Sequence, residues 1–445
     1  MPLLLTLLAI LTLVALVAWL KLETFIAFVI ISLGFGLASG LDVTRTVGAI
    51  TRGIGSTLGS LVIILGFGAM LGKLVGDSGA AQRITSTLLR VFGTTHIQWA
   101  LALAGFIVGI PLFYTAGFVI LVPLVFTAVA TTRLPLLQVA IPMLASLSVA
   151  HGYLPPHPSP TAIAQQLHAS LSFTLIYGII IAIPAIVIAG PLFARTLKHR
   201  TAGQPPAAFV QTPLPEDRLP SLSTSIISAL LPLFLLAGSA LIKPLLPPVT
   251  GTAGAGGTLA LIVDVLGEPH IAMLLSVLVA VYLLGLRRGH SVAAVMKQLE
   301  EGFKSVSTIL LIVGGAGAFV SVLNETGVST YIGQQIDALH APPLIVGWAI
   351  AAVIRVCVGS ATVAGLTTVG IVLPLVAQHP VSPELMVLAI GSGSLMFSHL
   401  NDGGFWIFKE YFDLSIRDTL ATWSVMETIV SIVGLVGVLV LDLFV

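Results

Sequence analysis

Fourteen apolar runs partition this chain, and few folds can accommodate that many. They lie near residues 2–20, 22–40, 56–76, 97–113, 116–131, 136–152 and 173–193, then 224–246, 269–286, 306–324, 342–357, 359–377, 383–399 and 420–443. Most approach the roughly 20 residues that a helix needs to cross the hydrocarbon layer of a bilayer. Asp, Glu, Lys and Arg supply 8 % of the residues and apolar types 57 %, whereas a soluble domain is about 25 % charged. Lipid is therefore the expected solvent. There, each backbone polar group must be satisfied inside the protein, which selects helices. The expected architecture is an all-α polytopic membrane protein of about 12–14 hydrophobic segments.

Several other classes of protein are disfavoured. The net charge of +1 argues against nucleic acid as a partner. The single cysteine, Cys357, excludes an intrachain disulfide. No cysteine and histidine cluster suggests a metal, and no Gly-Lys-Ser/Thr phosphate loop provides for ATP, so no cofactor is expected. The run from Pro2 to Leu20 has no basic region before it, so it reads as a retained span rather than a cleaved signal. Its first following cation, Lys21, places the N-terminus outside.

The stretch 194–220 carries Arg195, Lys198, Arg200 and Arg218 among several prolines, and reads as a cytoplasmic linker between residues 1–193 and 221–445. Alternating the spans from that anchor places Lys21, Lys73, Arg83, Arg90 and Arg133 on the same side. Arg287, Arg288, Lys297, Lys304, Lys409 and Arg417 join them, while Arg45, Arg52 and Lys243 fall outside. Fifteen against three is the bias of the positive-inside rule, and both termini are then extracytoplasmic.

The two halves are related. At an offset of 249, Gly53, Ser56, Leu61, Ile63, Gly66, Gly68, Ala69 and Leu74 meet identical residues from Gly302 to Leu323. At 248, Ala116-Gly117 meets Ala364-Gly365, Ser146-Leu147 meets Ser394-Leu395, and His151 meets His399. Seven runs per half is odd, so the second copy is expected upside down, as in many secondary transporters.

Two repeat-related pairs of interruptions mark where a ligand could bind. Gly109–Gly117 and Val358–Gly365 each divide a long apolar run at Gly, Ser and Thr residues. They read either as tips of re-entrant hairpins or as tight turns between complete spans. The second pair, His151–Pro160 and Ser398–Gly404, carries prolines or paired glycines that break a helix. A broken helix points the positive end of its dipole at an anion. Arg355 is the one cation that this topology leaves at bilayer depth. Its guanidinium could grip a carboxylate with two parallel hydrogen bonds, or it could form a structural ion pair. Candidate substrate contacts are Arg355, Gly359, Ser360, Thr362, Tyr114, Thr115, His157 and Asn401. Candidate proton carriers are His151, His399, Asp402 and Glu427, since imidazole titrates near neutrality and membrane carboxylates commonly carry protons.

Five ordered stretches resemble the gluconate permease family. They are Leu154-Pro-Pro-His-Pro-Ser-Pro-Thr-Ala-Ile-Ala164, Ile183-Pro-Ala-Ile-Val-Ile-Ala-Gly-Pro191, Arg355-Val-Cys-Val-Gly-Ser-Ala-Thr-Val-Ala364, Ser398-His-Leu-Asn-Asp-Gly-Gly-Phe-Trp406 and Thr422-Trp-Ser-Val-Met-Glu-Thr428. The resemblance covers essentially the whole chain. It implies a bacterial inner-membrane symporter that moves a small organic anion, gluconate or a related sugar acid, together with protons. It also implies inverted repeats and re-entrant hairpins; D-serine permeases belong to the same family. The sequence departs from the family at Ser159, where glycine is expected, and at Cys357-Val358, where more polar residues are usual. A homo-oligomer is compatible with such a chain. An ion channel or an intramembrane enzyme are the rival classes, but no His-Glu-x-x-His motif or paired aspartates support the latter.

Overall fold

The computed structural model describes residues 2–132, 134–198, 214–246, 255–328 and 341–445, and no strand occurs among them. Arg133, Arg200 and most of the expected linker, 199–213, lie outside the described residues. The first group of helices is α1 (Pro2–Val14), α2 (Thr24–Ala38), α3 (Val43–Asp77), α4 (Ala80–Phe92), α5 (Ile97–Gly109), α6 (Tyr114–Thr132), α7 (Leu136–Tyr153), α8 (Pro158–Gln166) and α9 (Leu171–Leu197). The second is α10 (Leu222–Leu245), α11 (Ala255–Gly267), α12 (Pro269–Arg288), α13 (Val292–Glu325), α14 (Pro343–Val358), α15 (Ala361–Gln378), α16 (Pro383–Gly393), α17 (Gly403–Tyr411) and α18 (Ile416–Leu441).

Local chemistry starts these helices. Asp42 accepts a hydrogen bond from the Arg45 amide at 2.8 Å and caps α3, and Ser170, Ser221 and Ser291 cap α9, α10 and α13 in the same way. Proline stands at the first turn of α8, α12, α14 and α16, where its missing N–H removes no helical bond.

Not every apolar run forms a helix of full spanning length. Among the described residues, six helices are long and apolar enough to span, or up to seven if a bent pair is one span. Hydropathy reads burial in protein and burial in lipid alike. The most apolar window within Leu136–Gln166 is 89 % buried inside the protein, against 28 % for Leu222–Leu245. The former is a core element and the latter lies mostly on the outside of the bundle. Run boundaries also shift. The runs 56–76 and 306–324 are the apolar parts of α3 and α13, which are 35 and 34 residues long. Both carry polar ends beyond the hydrocarbon.

α3 and α13 run antiparallel. Arg45 and Arg52 hold Glu325 at one end, at 3.1 and 3.0 Å, and Lys73 reaches Glu301 at 3.2 Å at the other. Between them Gly53 and Gly317 cross so closely that a Cβ on either would strike the other's carbonyl, the close approach that small residues permit in membrane helix pairs. Near the Asp77 end, residues 214–220 are strapped to the bundle. Gln82 exchanges two hydrogen bonds with Leu214, and Arg83 donates to the carbonyls of Pro220 and Glu216. Arg288 donates to the carbonyls of Ser78 and Arg218.

Candidate functional site

Both interruption pairs converge on one cavity. Its volume is about 430 Å³, within the range of small-molecule sites. The hairpins α5–α6 and α14–α15 contribute their tips, and the broken helices α7–α8 and α16–α17 contribute residues at their breaks. Lining groups include Tyr114 and Thr115, Ser148 and His151, Arg355, and Gly359 to Thr362. Asn401, Asp402, Trp423 and Glu427 complete the polar part of the wall.

Helix ends dominate the electrostatics. Tyr114 and Thr115 open α6, Ser360 and Ala361 open α15, and Gly403 and Gly404 open α17, all at the cavity wall. The first amides of a helix lack intrahelical acceptors and carry the positive end of its dipole. Three such ends around one space, together with a guanidinium, favour an anion. The tip between α14 and α15 is a two-residue turn. Gly359 adopts φ +80°, and its amide donates to the Arg355 carbonyl at 2.9 Å. The turns are shorter than expected from sequence: residues 110–113 and 359–360 connect the helices, and Tyr114–Gly117 and Ala361–Gly365 are already helical. α5, with 13 residues, reaches about 20 Å and falls short of the roughly 30 Å hydrocarbon layer.

A Cβ at Gly359 would also collide with the Asn401 backbone. Gly359→Ala is therefore expected to lower stability by about 1–2 kcal/mol from the left-handed backbone alone, read as a fall in melting temperature in detergent. Gly55→Ala, in a helix with nothing within 4 Å of the new methyl, should leave the melting temperature unchanged or raise it.

Arg355 is 3 % exposed and ion-paired through Nη2 to Asp402. Its Nε and Nη1 find no protein acceptor. Asp402 is fully engaged: it accepts from Arg355 and from the Ser398 hydroxyl, and it caps α17 by accepting from the Gly404 amide at 2.9 Å. The Trp423 indole donates to Ser398 at 2.8 Å and so braces this network. The pair holds the guanidinium in place while half of its fork stays unused. Glu427 is 1 % exposed. It accepts from the Ser148 hydroxyl at 2.5 Å through Oε1, and its Oε2 has no partner. The Tyr114 hydroxyl and His151 Nδ1 are likewise buried without partners.

Two of the sequence candidates are not at the cavity. His157 lies behind the wall, with Nε2 2.7 Å from the Gly109 carbonyl. His399 is half-buried, with Nε2 2.9 Å from the Val356 carbonyl. Ser148 and Trp423 were not anticipated. Ser148 precedes His151 by three residues and Trp423 precedes Glu427 by four, the spacings that share a helix face, and that is the signal by which both could have been found.

The sequence profile of the GntP family permeases matches residues 1–444. The chain belongs to this family. It is thus a transporter and not an enzyme. This GntP permease is 46 % identical over 443 residues to the high-affinity gluconate transporter of Escherichia coli strain K12, covering 100 % of both chains. It is 44 % identical to the Gnt-II system L-idonate transporter of the same organism, covering 99 % of both. Among solved structures, it is similar to the Alcanivorax borkumensis YdaH transporter, with a TM-score of 0.66 at 18 % identity over 94 % of this chain and 96 % of that one. At that identity the likeness shows the fold alone.

Proposed function

We propose that this GntP permease takes up gluconate or a closely related sugar acid by proton symport across the bacterial inner membrane. The observation that carries the reading is the cavity: three helix N-termini and the half-used fork of Arg355 meet around one space beside a buried, half-partnered carboxyl. The positive groups suit the carboxylate, and the hydroxyls and amides of the hairpin tips suit a polyol chain. Relatives named for gluconate and L-idonate transport, at 46 % and 44 % identity, support this substrate class. Glu427 is the group we assign to the coupling proton. Inhibition of labelled gluconate uptake by unlabelled gluconate, L-idonate, hexuronates and D-serine tests the substrate class. The two aldonates should compete and D-serine should not; preferential inhibition by D-serine would sink it.

The inverted repeat of residues 1–193 and 221–445 belongs to the same proposal. Its support is that the repeat mates α3 and α13 run antiparallel. The close approach of Gly53 to Gly317 has a repeat-related counterpart, Gly302 against the backbone of Ala69 and Met70. In this topology 194–220 is cytoplasmic and both termini are periplasmic. With Cys357 replaced by serine, cysteines at Gln204 and Pro248, which lie outside the described residues, are expected to label from opposite sides of the membrane. Labelling from one side overturns the arrangement.

A further inference from the structure

A second cavity, of about 460 Å³, lies at the Gly53–Gly317 crossing. Ser56, Ser321, Glu325, Gln165, Gln166 and His168 contribute to its wall. The helix that leads from it toward the substrate cavity is α8. At one end of α8, the Pro156 carbonyl lies 4.0 Å from where a Cβ on Gly68 of α3 would sit. At the other end, Gln165 and Gln166 reach the second cavity beside Gly53. On α3 those two points are about 22 Å apart.

One face of α8 is polar along its whole length. His157, the N-cap, Thr161 and Gln165 follow at four-residue spacing, so they line up along the helix; His168 lies beyond its C-terminus at φ +54°. His157 is 2 % exposed and Thr161 is 0 % exposed. His157 Nε2 faces the Gly109 carbonyl, which can only accept, so Nε2 carries the hydrogen and Nδ1 is left as an acceptor. That Nδ1 has no partner, and neither has the Thr161 hydroxyl. The His157 ring lies 5.5 Å, centre to centre, from that of His151, which lines the substrate cavity and has an unpartnered Nδ1 of its own. A packing helix would carry apolar residues here, since each unsatisfied buried polar group costs about 1–3 kcal/mol. Successive members are about 6 Å apart along the axis, too far for direct hydrogen bonds and suited to one bridging water each.

We propose that His151, His157, Thr161 and Gln165 line a water-bridged proton route joining the cavity beside Glu325 to the substrate cavity. Charged groups face the route at its two ends. Arg355, Asp402 and Glu427 stand at the substrate cavity, and Glu325, held by Arg45 and Arg52, stands at the other. Among the described residues, the buried charged side chains are Arg355 and Glu427, so none interrupts the stripe. In the proposed topology Arg45 and Arg52 are extracytoplasmic, so the route leads protons inward. The inference rests on the proton-symport reading above.

Thr161→Val, which removes the hydroxyl and keeps the shape, tests it in proteoliposomes enclosing a pH-sensitive dye. The variant should lose gluconate-dependent proton uptake while labelled gluconate exchange proceeds with unchanged apparent affinity, and Thr161→Ser should restore coupling. Wild-type proton uptake in Thr161→Val overturns the route and leaves symport standing. Gluconate transport by the native protein without proton uptake overturns both. If Thr161→Val loses exchange as well, Gln165→Met decides: lost coupling with exchange retained supports the route, and intact coupling overturns it.

Discussion

Arg355→Lys is expected to reach the membrane in normal amounts and to bind the sugar acid about ten- to a hundredfold more weakly. The lysine keeps a positive charge beside Asp402, so the buried pair that braces the break between α16 and α17 survives. What it loses is the fork. The unpartnered Nη1 of Arg355 and the second N–H of Nη2 are two parallel donors of one planar group, and an ammonium cannot offer that geometry to a carboxylate. Losing a charge-assisted hydrogen bond costs about 1.5–3 kcal/mol. Arg355→Ala is the less informative variant. It strands Asp402 without its partner, a type of change that typically costs about 3–5 kcal/mol, and so should lower the amount of folded protein. Concentration dependence of initial uptake, normalised to the amount in the membrane, separates the two. An unchanged apparent affinity in Arg355→Lys contradicts the assignment.

Glu427→Gln is expected to abolish accumulation while leaving exchange of labelled for unlabelled substrate intact. The amide keeps the volume, and its oxygen can still accept from Ser148, the partner that lies 2.5 Å away in the native protein. It cannot exchange a proton. A monoanion moving alone into a negative interior is opposed by about 2.3 kcal/mol per 100 mV, roughly a fiftyfold concentration ratio. One accompanying proton cancels that charge and leaves the pH difference to drive uptake. The steady-state ratio in energised vesicles should therefore fall by about fiftyfold or more. Accumulation equal to that of the native protein would remove Glu427 from the coupling step.

The expectation for Asp402 changes with its surroundings. As a residue in a helix break it is a candidate proton carrier. In the structure it is the counter-ion of Arg355 and the cap of α17. A pairing across 47 residues leaves no local signature, because the hairpin tip and the broken helix meet only in the folded bundle. The histidine pair shows the same limit differently. His151 and His399 are mates in the repeat, yet one lines the cavity and the other does not. A repeat preserves an element's shape, whereas a side chain's surroundings depend on what packs against it. The legible features were those with a local cause: apolar runs for helices, Gly359-Ser360 for a turn, the prolines of 155–160 for a break. Even there Pro158 opens a new helix, α8, rather than only ending the one before it. α4 was missed because its apolar face is interrupted by polar residues at helical spacing, and a run of hydropathy does not register it.

The central claim is that a proton and a sugar acid cross together through the cavity between the two hairpin tips. The most direct measurement is labelled gluconate uptake into proteoliposomes carrying the native protein, with an imposed pH step, alkaline inside, and sodium absent. Saturable accumulation that collapses on addition of a protonophore is the predicted result. Accumulation that survives the protonophore but requires sodium, or a flux that never saturates, would contradict it.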